Sequence, residues 1–266
     1  MDKCGWKGSS DVQSSKAAAI STEGLSVQFG GHTAVNDVTC EFHDGVLTAI
    51  LGPNGAGKTT FFNLVSGQIT PTSGQVYLYG QNITRQSVSN RAKLGMGRAF
   101  QLTNLFPKLS TQENVRLAVQ ARRRLGFNMV KLSSDLTGVA EQVEYYLDQV
   151  VLSSKRDVEV RFLSHGEQRK LEVAMLLALE PRVFMFDEPT AGMTIDEAPI
   201  IVELIHKIKQ LEGRSILLVE HKMDIIKSLA DRTVVFHNGE IIADGKPAEV
   251  MEIPRVQEVY IGKAIA

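Results

Sequence analysis

The stretch that most constrains this chain runs from Gly52 to Thr60 and reads GPNGAGKTT. It fits the pattern G-x-x-x-x-G-K-[ST], whose backbone N–H groups wrap phosphates while Lys58 reaches the outer phosphates and Thr59 holds Mg²⁺. An apolar run of strand length, residues 46–51, precedes this loop, and a helical pattern follows over residues 58–66. Because a glycine turn between strand and helix aims the positive end of the helix at an anion, the sequence predicts a nucleoside-triphosphate site.

Charge and composition narrow the classes of partner. The 29 Lys+Arg and 30 Asp+Glu residues give a net charge of −1, which offers no electrostatic reason to expect a nucleic-acid partner. The two cysteines, Cys4 and Cys40, lack metal-ligand spacing, which favours a reduced, cytoplasmic setting. No apolar run approaches the ~18 residues that a membrane helix needs. Residues 1–21 lack the apolar core of a signal peptide and are interpreted as a flexible polar tail, so we expect any membrane role to come through a partner.

The periodicity of apolar residues predicts an α/β fold. Residues 22–51 and 76–80 carry short patterns typical of strands, whereas residues from about 102 to 165 form a mostly helical insertion. Amphipathic helices and fully apolar strands then alternate, which indicates a mostly parallel sheet covered on both faces. The prediction is one domain over residues 22–266: a P-loop core of parallel sheet flanked by helices, with an N-terminal antiparallel β subdomain and the helical insertion.

Polar side chains directly follow two of the predicted buried strands. Asp187 and Glu188 end the apolar run 183–186, where a carboxylate can hold Mg²⁺ or its water shell. Because neighbouring side chains of an extended chain point to opposite sides, we assign Asp187 to the metal and Glu188 to polarising the attacking water. His221 follows the strand at 216–219, and a sheet of this kind gathers its chemistry at the carboxyl ends of its strands. That position favours a catalytic histidine over a structural one.

Two further features are ambiguous when each is taken alone. Gln101 offers an amide that can ligate Mg²⁺ or position water, and an exposed loop glutamine explains it equally well. The stretch 163–168 reads LSHGEQ, in which Ser164 and Glu167 form a capping box at a helix start. Neither feature identifies a function without the others.

Taken together, the motifs resemble the ATP-binding-cassette (ABC) family over nearly the whole chain from about residue 22. That family has an aromatic residue for adenine, a phosphate loop, a Q-loop glutamine, a Leu-Ser-Gly-Gly-Gln signature, an acidic pair and a switch histidine. Their counterparts here, in the same order, are Phe29, 52–60, Gln101, 163–168, Asp187–Glu188 and His221. One phosphate-loop pattern alone carries a real risk of chance, whereas six motifs in order do not.

The resemblance implies an ATPase that uses ATP and Mg²⁺. The residues it implies for ATP contact are Phe29, Val35, Asn54, Gly55, Ala56, Gly57, Lys58, Thr59 and Thr60. Those it implies for Mg²⁺ are Thr59, Gln101 and Asp187, with Glu188 and His221 as catalytic residues. In this family two cassettes pack head to tail, and the signature of one faces the ATP of the other; the signature residues here are Ser164, His165, Gly166 and Glu167. ATP then holds the halves together, and hydrolysis loosens them.

Two positions depart from the family pattern. His165 replaces the first signature glycine and adds a titratable group near the expected γ-phosphate, as in some importers of urea and branched-chain amino acids. Thr194 stands where the family usually has aspartate. Because residues 194–197 read as a capping box, Thr194 is predicted to cap the next helix.

Short segments indicate a branch of the family. Residues 191–194, 219–221 and 256–262 resemble cassettes of branched-chain amino-acid and urea importers. The resemblance implies an ATP-driven motor subunit of an importer for branched-chain or hydrophobic amino acids, with a urea or short-amide importer as the main alternative. A non-transport ABC ATPase fits less well, since those in translation normally carry two cassettes and those in repair carry zinc ligands or coiled coils. A small-molecule kinase would leave the signature and His221 without a role.

The same resemblance implies the partners. They are a second cassette, either identical or different, two transmembrane permease subunits and, indirectly, a solute-binding protein. The expected location is the cytoplasmic face of the inner (plasma) membrane, with peripheral attachment through the permease subunits.

Overall fold

The computed structural model describes residues 17–99, 105–123 and 132–261. Contacts divide the chain into two compact units, one of residues 1–94 and 212–266 and the other of residues 95–211. The α/β fold class predicted from the sequence is confirmed, since parallel strands and flanking helices occur in both units. None of the described helices combines the length and apolar character needed to cross a membrane.

The first unit contains an antiparallel sheet in the order β2-β1-β4-β5. Its strands are β1 (Ala18–Phe29), β2 (His32–His43), β4 (Ser73–Leu78) and β5 (Gln81–Asn82). The sequence-based boundary of the polar tail at residue 21 is too late, because β1 starts at Ala18 and pairs Ile20 with Leu78. Ala19 and Ile20 are fully buried, so this short apolar piece belongs to the core of the sheet.

The same unit holds a second group of strands, in which β3 pairs in parallel with β8 and β9, and β10 closes an antiparallel hairpin with β9. These strands are β3 (Leu47–Leu51), β8 (Ser215–Val219), β9 (Arg232–His237) and β10 (Glu240–Gly245). All residues of β3 and β8 are buried, as expected for strands covered on both faces. The helices are α1 (Lys58–Ser66), α2 (Val88–Lys93), α7 (Met223–Leu229), α8 (Pro247–Met251) and α9 (Pro254–Ile261).

The second unit contains the parallel pair β6 (Met96–Ala99) and β7 (Val183–Asp187). Its helices are α3 (Thr111–Arg122), α4 (Leu132–Gln149), α5 (His165–Ala178) and α6 (Ala198–Lys209), with 3₁₀ turns at Ser153–Lys155 and Val160–Phe162. Helices α3 and α4 and both 3₁₀ turns lie within the stretch that the sequence assigns to a helical insertion.

Thr194 does not cap the next helix, in contrast to the prediction from the sequence. Helix α6 begins at Ala198 with Glu197 as its N-cap. The carboxylate of Glu197 accepts hydrogen bonds from the backbone N–H and the hydroxyl of Thr194, both at 3.1 Å. The hydroxyl therefore donates to a side chain instead of accepting from the helix, because residues 195–197 form a turn ahead of α6.

Candidate functional site

The phosphate loop connects the buried end of β3 to the first turn of α1. Gly57 is the N-cap of α1 with φ of 101°, and a Cβ there would lie 2.4 Å from the carbonyl oxygen of Ala34. Gly52 has φ of 145°, and a Cβ there would lie 2.3 Å from the carbonyl oxygen of Phe236. Both positions therefore require glycine, since a side chain would need backbone at both contacts to move. The loop is held in one shape by the strands around it.

Lys58 is buried in the first turn of α1, with 5 % of its surface exposed. Its ammonium donates hydrogen bonds to the carbonyl oxygens of Gly52 at 2.7 Å and Pro53 at 3.1 Å. A buried ammonium is stable only where such acceptors surround it. The charge is thereby fixed at the mouth of the loop, beside the N-terminus of a helix, where an incoming anion is attracted by both.

Two of the residues predicted to contact ATP, Phe29 and Val35, differ in their exposure. Phe29 ends β1 with 48 % of its surface exposed, next to the turn at Gly30 and Gly31, so its ring is accessible for stacking. Val35 has no exposed surface and pairs with Val27 in the antiparallel sheet. The sequence-based assignment of Val35 to ATP contact stays a prediction. The burial of Val35 reflects its inward position on β2, which a motif comparison does not reveal.

Asp187 terminates β7 and is completely buried. Burial raises the pKa of this carboxyl above its usual range, and the guanidinium of Arg98, 3.0 Å from Oδ2, offsets part of that rise. The second oxygen, Oδ1, is buried and has no hydrogen-bond partner among the described residues. A buried carboxylate oxygen without a partner is a suitable ligand for Mg²⁺ or for a water bound to it, because Mg²⁺ prefers hard oxygen ligands.

Glu188 follows with an unusual backbone, φ of 48°, in the left-handed region that non-glycine residues rarely adopt. Arg169 of α5 fixes this bend, because its guanidinium donates to the backbone carbonyl oxygens of Asp187 at 2.8 Å and Glu188 at 3.0 Å. Arg169 is itself buried and paired with Glu172 at 2.8 Å. The sequence analysis did not identify Arg169, since nothing in its helical pattern distinguishes it from a surface arginine.

The signature stretch forms the N-terminus of α5. Ser164 is the N-cap, and a complete capping box with Glu167 is present, as predicted. Ser164 and His165 are exposed, whereas Gly166 is buried. A Cβ on Gly166 would lie 2.2 Å from Oε2 of Glu197, so a side chain there would have to displace that carboxylate. This first turn therefore leaves a hydroxyl and an imidazole accessible at a positive helix end.

Of the two remaining predicted residues, His221 lies within the described part of the chain. His221 follows β8 directly and is exposed, and its backbone N–H donates to the carboxylate of Glu220 at 3.3 Å. Gln101 lies outside the described residues.

The phosphate loop between β3 and α1 and the acidic end of β7 are features of a P-loop nucleotide-binding protein. Proteins of this class bind phosphate at a helix N-terminus that follows a buried strand. The family described as "ABC transporter" matches residues 35–191, more than half of the chain. The family described as "Branched-chain amino acid ATP-binding cassette transporter" matches residues 240–266. The chain therefore belongs to the ABC transporter family and is one of its ATPases.

Curated relatives match almost end to end. The high-affinity branched-chain amino acid transport ATP-binding protein BraF of Pseudomonas aeruginosa is 33% identical over 250 residues, which cover 92% of this chain and 98% of BraF. LivG of Escherichia coli, of the same description, is 32% identical with the same coverage. The lipopolysaccharide export ATP-binding protein LptB of Acidithiobacillus ferridurans is 30% identical over 91% of this chain and 96% of LptB.

Solved structures agree with the fold. A nucleotide-free ATP-binding cassette from an ABC transporter superposes with a TM-score of 0.77 at 27% identity, covering 92% of this chain and 99% of that one. The ADP conformation of an ABC transporter cassette superposes with a TM-score of 0.76, also at 27% identity and with the same coverage.

Proposed function

We propose that this chain binds and hydrolyses ATP as the motor subunit of an importer for branched-chain or hydrophobic amino acids. The observation that carries the ATP part is the buried Lys58 ammonium, held by Gly52 and Pro53 in a loop where glycine is sterically required. The solute is inferred from the relatives BraF and LivG, whose descriptions name branched-chain amino acid transport. A urea or short-amide importer remains the alternative.

The proposed roles follow from the chemistry of each side chain. Phe29 stacks on adenine, and the first turn of α1 together with Lys58 neutralises the charge of the outer phosphates. Mg²⁺, when bound, adds further neutralisation of that charge and would be held by Thr59, Asp187 and Gln101. The unpartnered Oδ1 of Asp187 is the described atom that best fits this role.

Hydrolysis requires a water molecule aligned with the γ-phosphate. The carboxylate of Glu188 accepts a hydrogen bond from that water, whose oxygen bonds to the γ-phosphorus as the bond to the bridging oxygen of ADP breaks. His221 contacts the γ-phosphate side of the same site. The products are ADP and inorganic phosphate.

Two substitutions test these roles. Lys58→Ala removes the ammonium, and we expect ATP binding to fall below detection in an equilibrium titration. Glu188→Gln keeps the size and the hydrogen-bonding capacity of the side chain but removes its charge, so we expect ATP binding to persist while hydrolysis falls by about a hundredfold or more. Unchanged ATP affinity in the first variant, or near-normal turnover in the second, would contradict the assignments.

We infer that the working form contains two cassettes. Ser164 and His165 are exposed at the positive end of α5, and in the family such residues contact the ATP of a neighbouring cassette. The neighbour is either a second copy of this chain or a related one. The ATP-dependent mass of the Glu188→Gln protein in light scattering distinguishes a homodimer from a chain that needs a different companion.

We further infer that two permease subunits dock on the second unit, placing the chain on the cytoplasmic face of the inner membrane. An apolar cavity of about 390 Å³ opens there between β6, α3 and α5, and its lining includes Leu105, Phe106, Leu117, Met175 and Leu179. Phe106 is 49 % exposed and extends the apolar lining of the cavity to the surface. A solute-binding protein would act from the other side of the membrane.

One matched pair of variants tests the docking of the permease subunits independently of ATP hydrolysis. Leu117→Glu places a charge in the cavity lining, whereas Gln120→Glu places the same charge on the same helix outside the lining. We expect only Leu117→Glu to abolish ATP-driven leucine uptake by vesicles that contain the assembled transporter. Both isolated proteins should hydrolyse ATP normally.

Urea uptake in place of leucine uptake by the wild-type assembly would favour the alternative solute.

A further inference from the structure

The buried guanidinium of Arg169 contacts the backbone where β7 ends. Arg169 lies on α5, and only 7 % of its surface is exposed. Its Nη2 atom donates to the carbonyl oxygens of Asp187 at 2.8 Å and Glu188 at 3.0 Å, and its Nε atom donates to that of Pro189 at 3.4 Å. One planar guanidinium can serve three acceptors because its N–H groups form a rigid fork. Three consecutive carbonyl oxygens therefore converge on a single side chain.

An ion pair holds this guanidinium in place. The Nη1 atom of Arg169 donates to Oε2 of Glu172, one turn further along α5, at 2.8 Å, and both side chains are more than nine-tenths buried. Burial raises the pKa of Glu172, and the charge of Arg169 offsets part of that rise. Because the carboxylate engages Nη1, the nitrogens Nη2 and Nε point at the carbonyl oxygens.

The contacts set both backbone angles of Glu188. The carbonyl of Asp187 belongs to the peptide plane before the Glu188 Cα atom, and the carbonyl of Glu188 belongs to the plane after it. Since the orientations of these two planes define φ and ψ, one donor bonded to both holds φ at 48°. A non-glycine residue persists in this region only where its surroundings hold it. Arg169 therefore fixes the direction in which the Glu188 side chain leaves the backbone.

We propose that Arg169 is a positioning residue for ATP hydrolysis, because it fixes the backbone from which the carboxylate of Glu188 reaches the attacking water. The inference rests on the proposed role of Glu188 in polarising that water. Arg169 acts through Glu188 and not on the nucleotide. Its loss should therefore slow the chemical step and leave ATP affinity unchanged, since a misplaced catalytic group matters only in the transition state.

The first test is Arg169→Lys, which keeps a cation for Glu172 but replaces the rigid fork by a single ammonium. One ammonium cannot bond the carboxylate and all three carbonyl oxygens in the same geometry, so the bend at Glu188 should loosen. We expect the rate at saturating ATP to fall by about tenfold or more, as for a catalytic group misplaced by about 1 Å. The Kd for ATP, measured by equilibrium titration, should stay within about twofold of wild type.

The same substitution in a Glu188→Ala background distinguishes positioning from general support of the fold. Glu188→Ala has no carboxylate left to position, so adding Arg169→Lys should change its residual single-turnover rate by less than about twofold. A side chain that only supported the fold would lower the rate by the same factor in both backgrounds. The two losses are therefore expected to be strongly non-additive.

Glu172→Gln reaches the same contacts from the other end of the ion pair. It keeps the guanidinium and an acceptor for it but removes the charge that holds Arg169, so we expect turnover to fall by only about threefold. This fall should also disappear in the Glu188→Ala background. The variant tests the positioning role independently if Arg169→Lys proves unstable.

The matched control is Arg122→Lys. Arg122 of α3 belongs to the same unit, forms an ion pair with Glu180 and donates to the side chain of Gln142 at 3.1 Å. The variant loses the geometry of an arginine ion pair as Arg169→Lys does, but it should hydrolyse ATP at the wild-type rate. The Tm of each variant, measured without nucleotide, shows how much stability the two substitutions have cost.

Four results would overturn the role of Arg169: turnover of Arg169→Lys within about twofold of wild type, an equal loss of ATP affinity, the same loss of turnover in the Glu188→Ala background, or the same loss in Arg122→Lys. The proposed ATPase function is judged separately, by ATP binding in the wild type and its absence in Lys58→Ala. Normal turnover in Arg169→Lys would therefore leave that function intact and remove only the positioning role.

Discussion

At the scale of single residues, the conformation of Glu188 sets the proposed catalytic role of this residue against the stability of the fold. Its φ of 48° places a long side chain in the left-handed region, and its charge raises the pKa of neighbouring Asp187 further. Asparagine tolerates this backbone and carries no charge. We expect Glu188→Asn to raise the free energy of unfolding by about 1 kcal/mol, measured in urea, while ATP hydrolysis is lost.

The expected rise in the free energy of unfolding has an electrostatic part and a backbone part. The pH dependence and a control variant distinguish the two. The electrostatic part requires an ionised Asp187, so it is lost as the pH falls through the pKa of this carboxyl, which burial raises above its usual range. The backbone part is independent of pH. Val151 has φ of 57° in an exposed turn outside the site, so Val151→Asn should gain only the backbone part and keep full turnover. A loss of stability in both variants would contradict the strain argument.

Arg91 is a second residue whose environment yields a sharp expectation. It is 1 % exposed, and its guanidinium donates to four backbone carbonyl oxygens, including Leu64 and Val65 at the C-terminus of α1. Burial lowers its pKa to about 10. Arg91→Met leaves these acceptors buried, and we expect it to lower the free energy of unfolding by about 2–4 kcal/mol. Arg116, 47 % exposed in an ion pair at 3.6 Å, is the control, for which Arg116→Met should change stability by less than about 0.5 kcal/mol.

At the scale of elements, helices α3 and α5 both begin with a capping box, but their first turns have different proposed roles. Ser110 caps α3 and Ser164 caps α5, each in a complete capping box with a glutamate three residues later. Replacing either serine by alanine should cost about 1 kcal/mol of stability. Only Ser164→Ala should also reduce ATP hydrolysis, by about tenfold or more, because only that hydroxyl is proposed to contact a phosphate. Equal activity of the two variants in a phosphate-release assay would refute the signature role.

The comparison of these elements shows what a sequence can predict. Both capping boxes, the phosphate loop and the parallel strands follow from local spacing, since neighbours three or four residues apart decide whether a helix starts. Thr194 has the same local pattern but does not cap a helix, because residues 195–197 form a turn and α6 begins only at Ala198. Arg169 donates to backbone carbonyl oxygens almost twenty residues away in sequence, those of Asp187 and Glu188. Such long-range contacts leave no periodic signal, so only the fold reveals them.

At the scale of the whole molecule, the proposed ATP site is completed by residues of a second chain. In the proposed head-to-tail pair, each ATP lies between the phosphate loop of one chain and Ser164 of the other. A chain with Lys58→Ala then lacks a working loop but keeps a working signature. A chain with Ser164→Arg, which puts a bulky cation in the signature, has the opposite defect. Each variant alone should be inactive.

Mixing the two inactive proteins tests this arrangement directly. In a mixed pair, one site carries both defects and the other carries none, so random pairing should restore about a quarter of the wild-type hydrolysis rate if the sites act independently. The control mixture of Lys58→Ala with Glu188→Gln should stay inactive, because Glu188 is proposed to act on the ATP held by its own chain, so no intact site can form. Recovery in the control would mean that Glu188 serves the other chain. No recovery in the test mixture, despite an ATP-dependent dimer of the Glu188→Gln protein, would show that each chain completes its own site and that the head-to-tail arrangement is wrong.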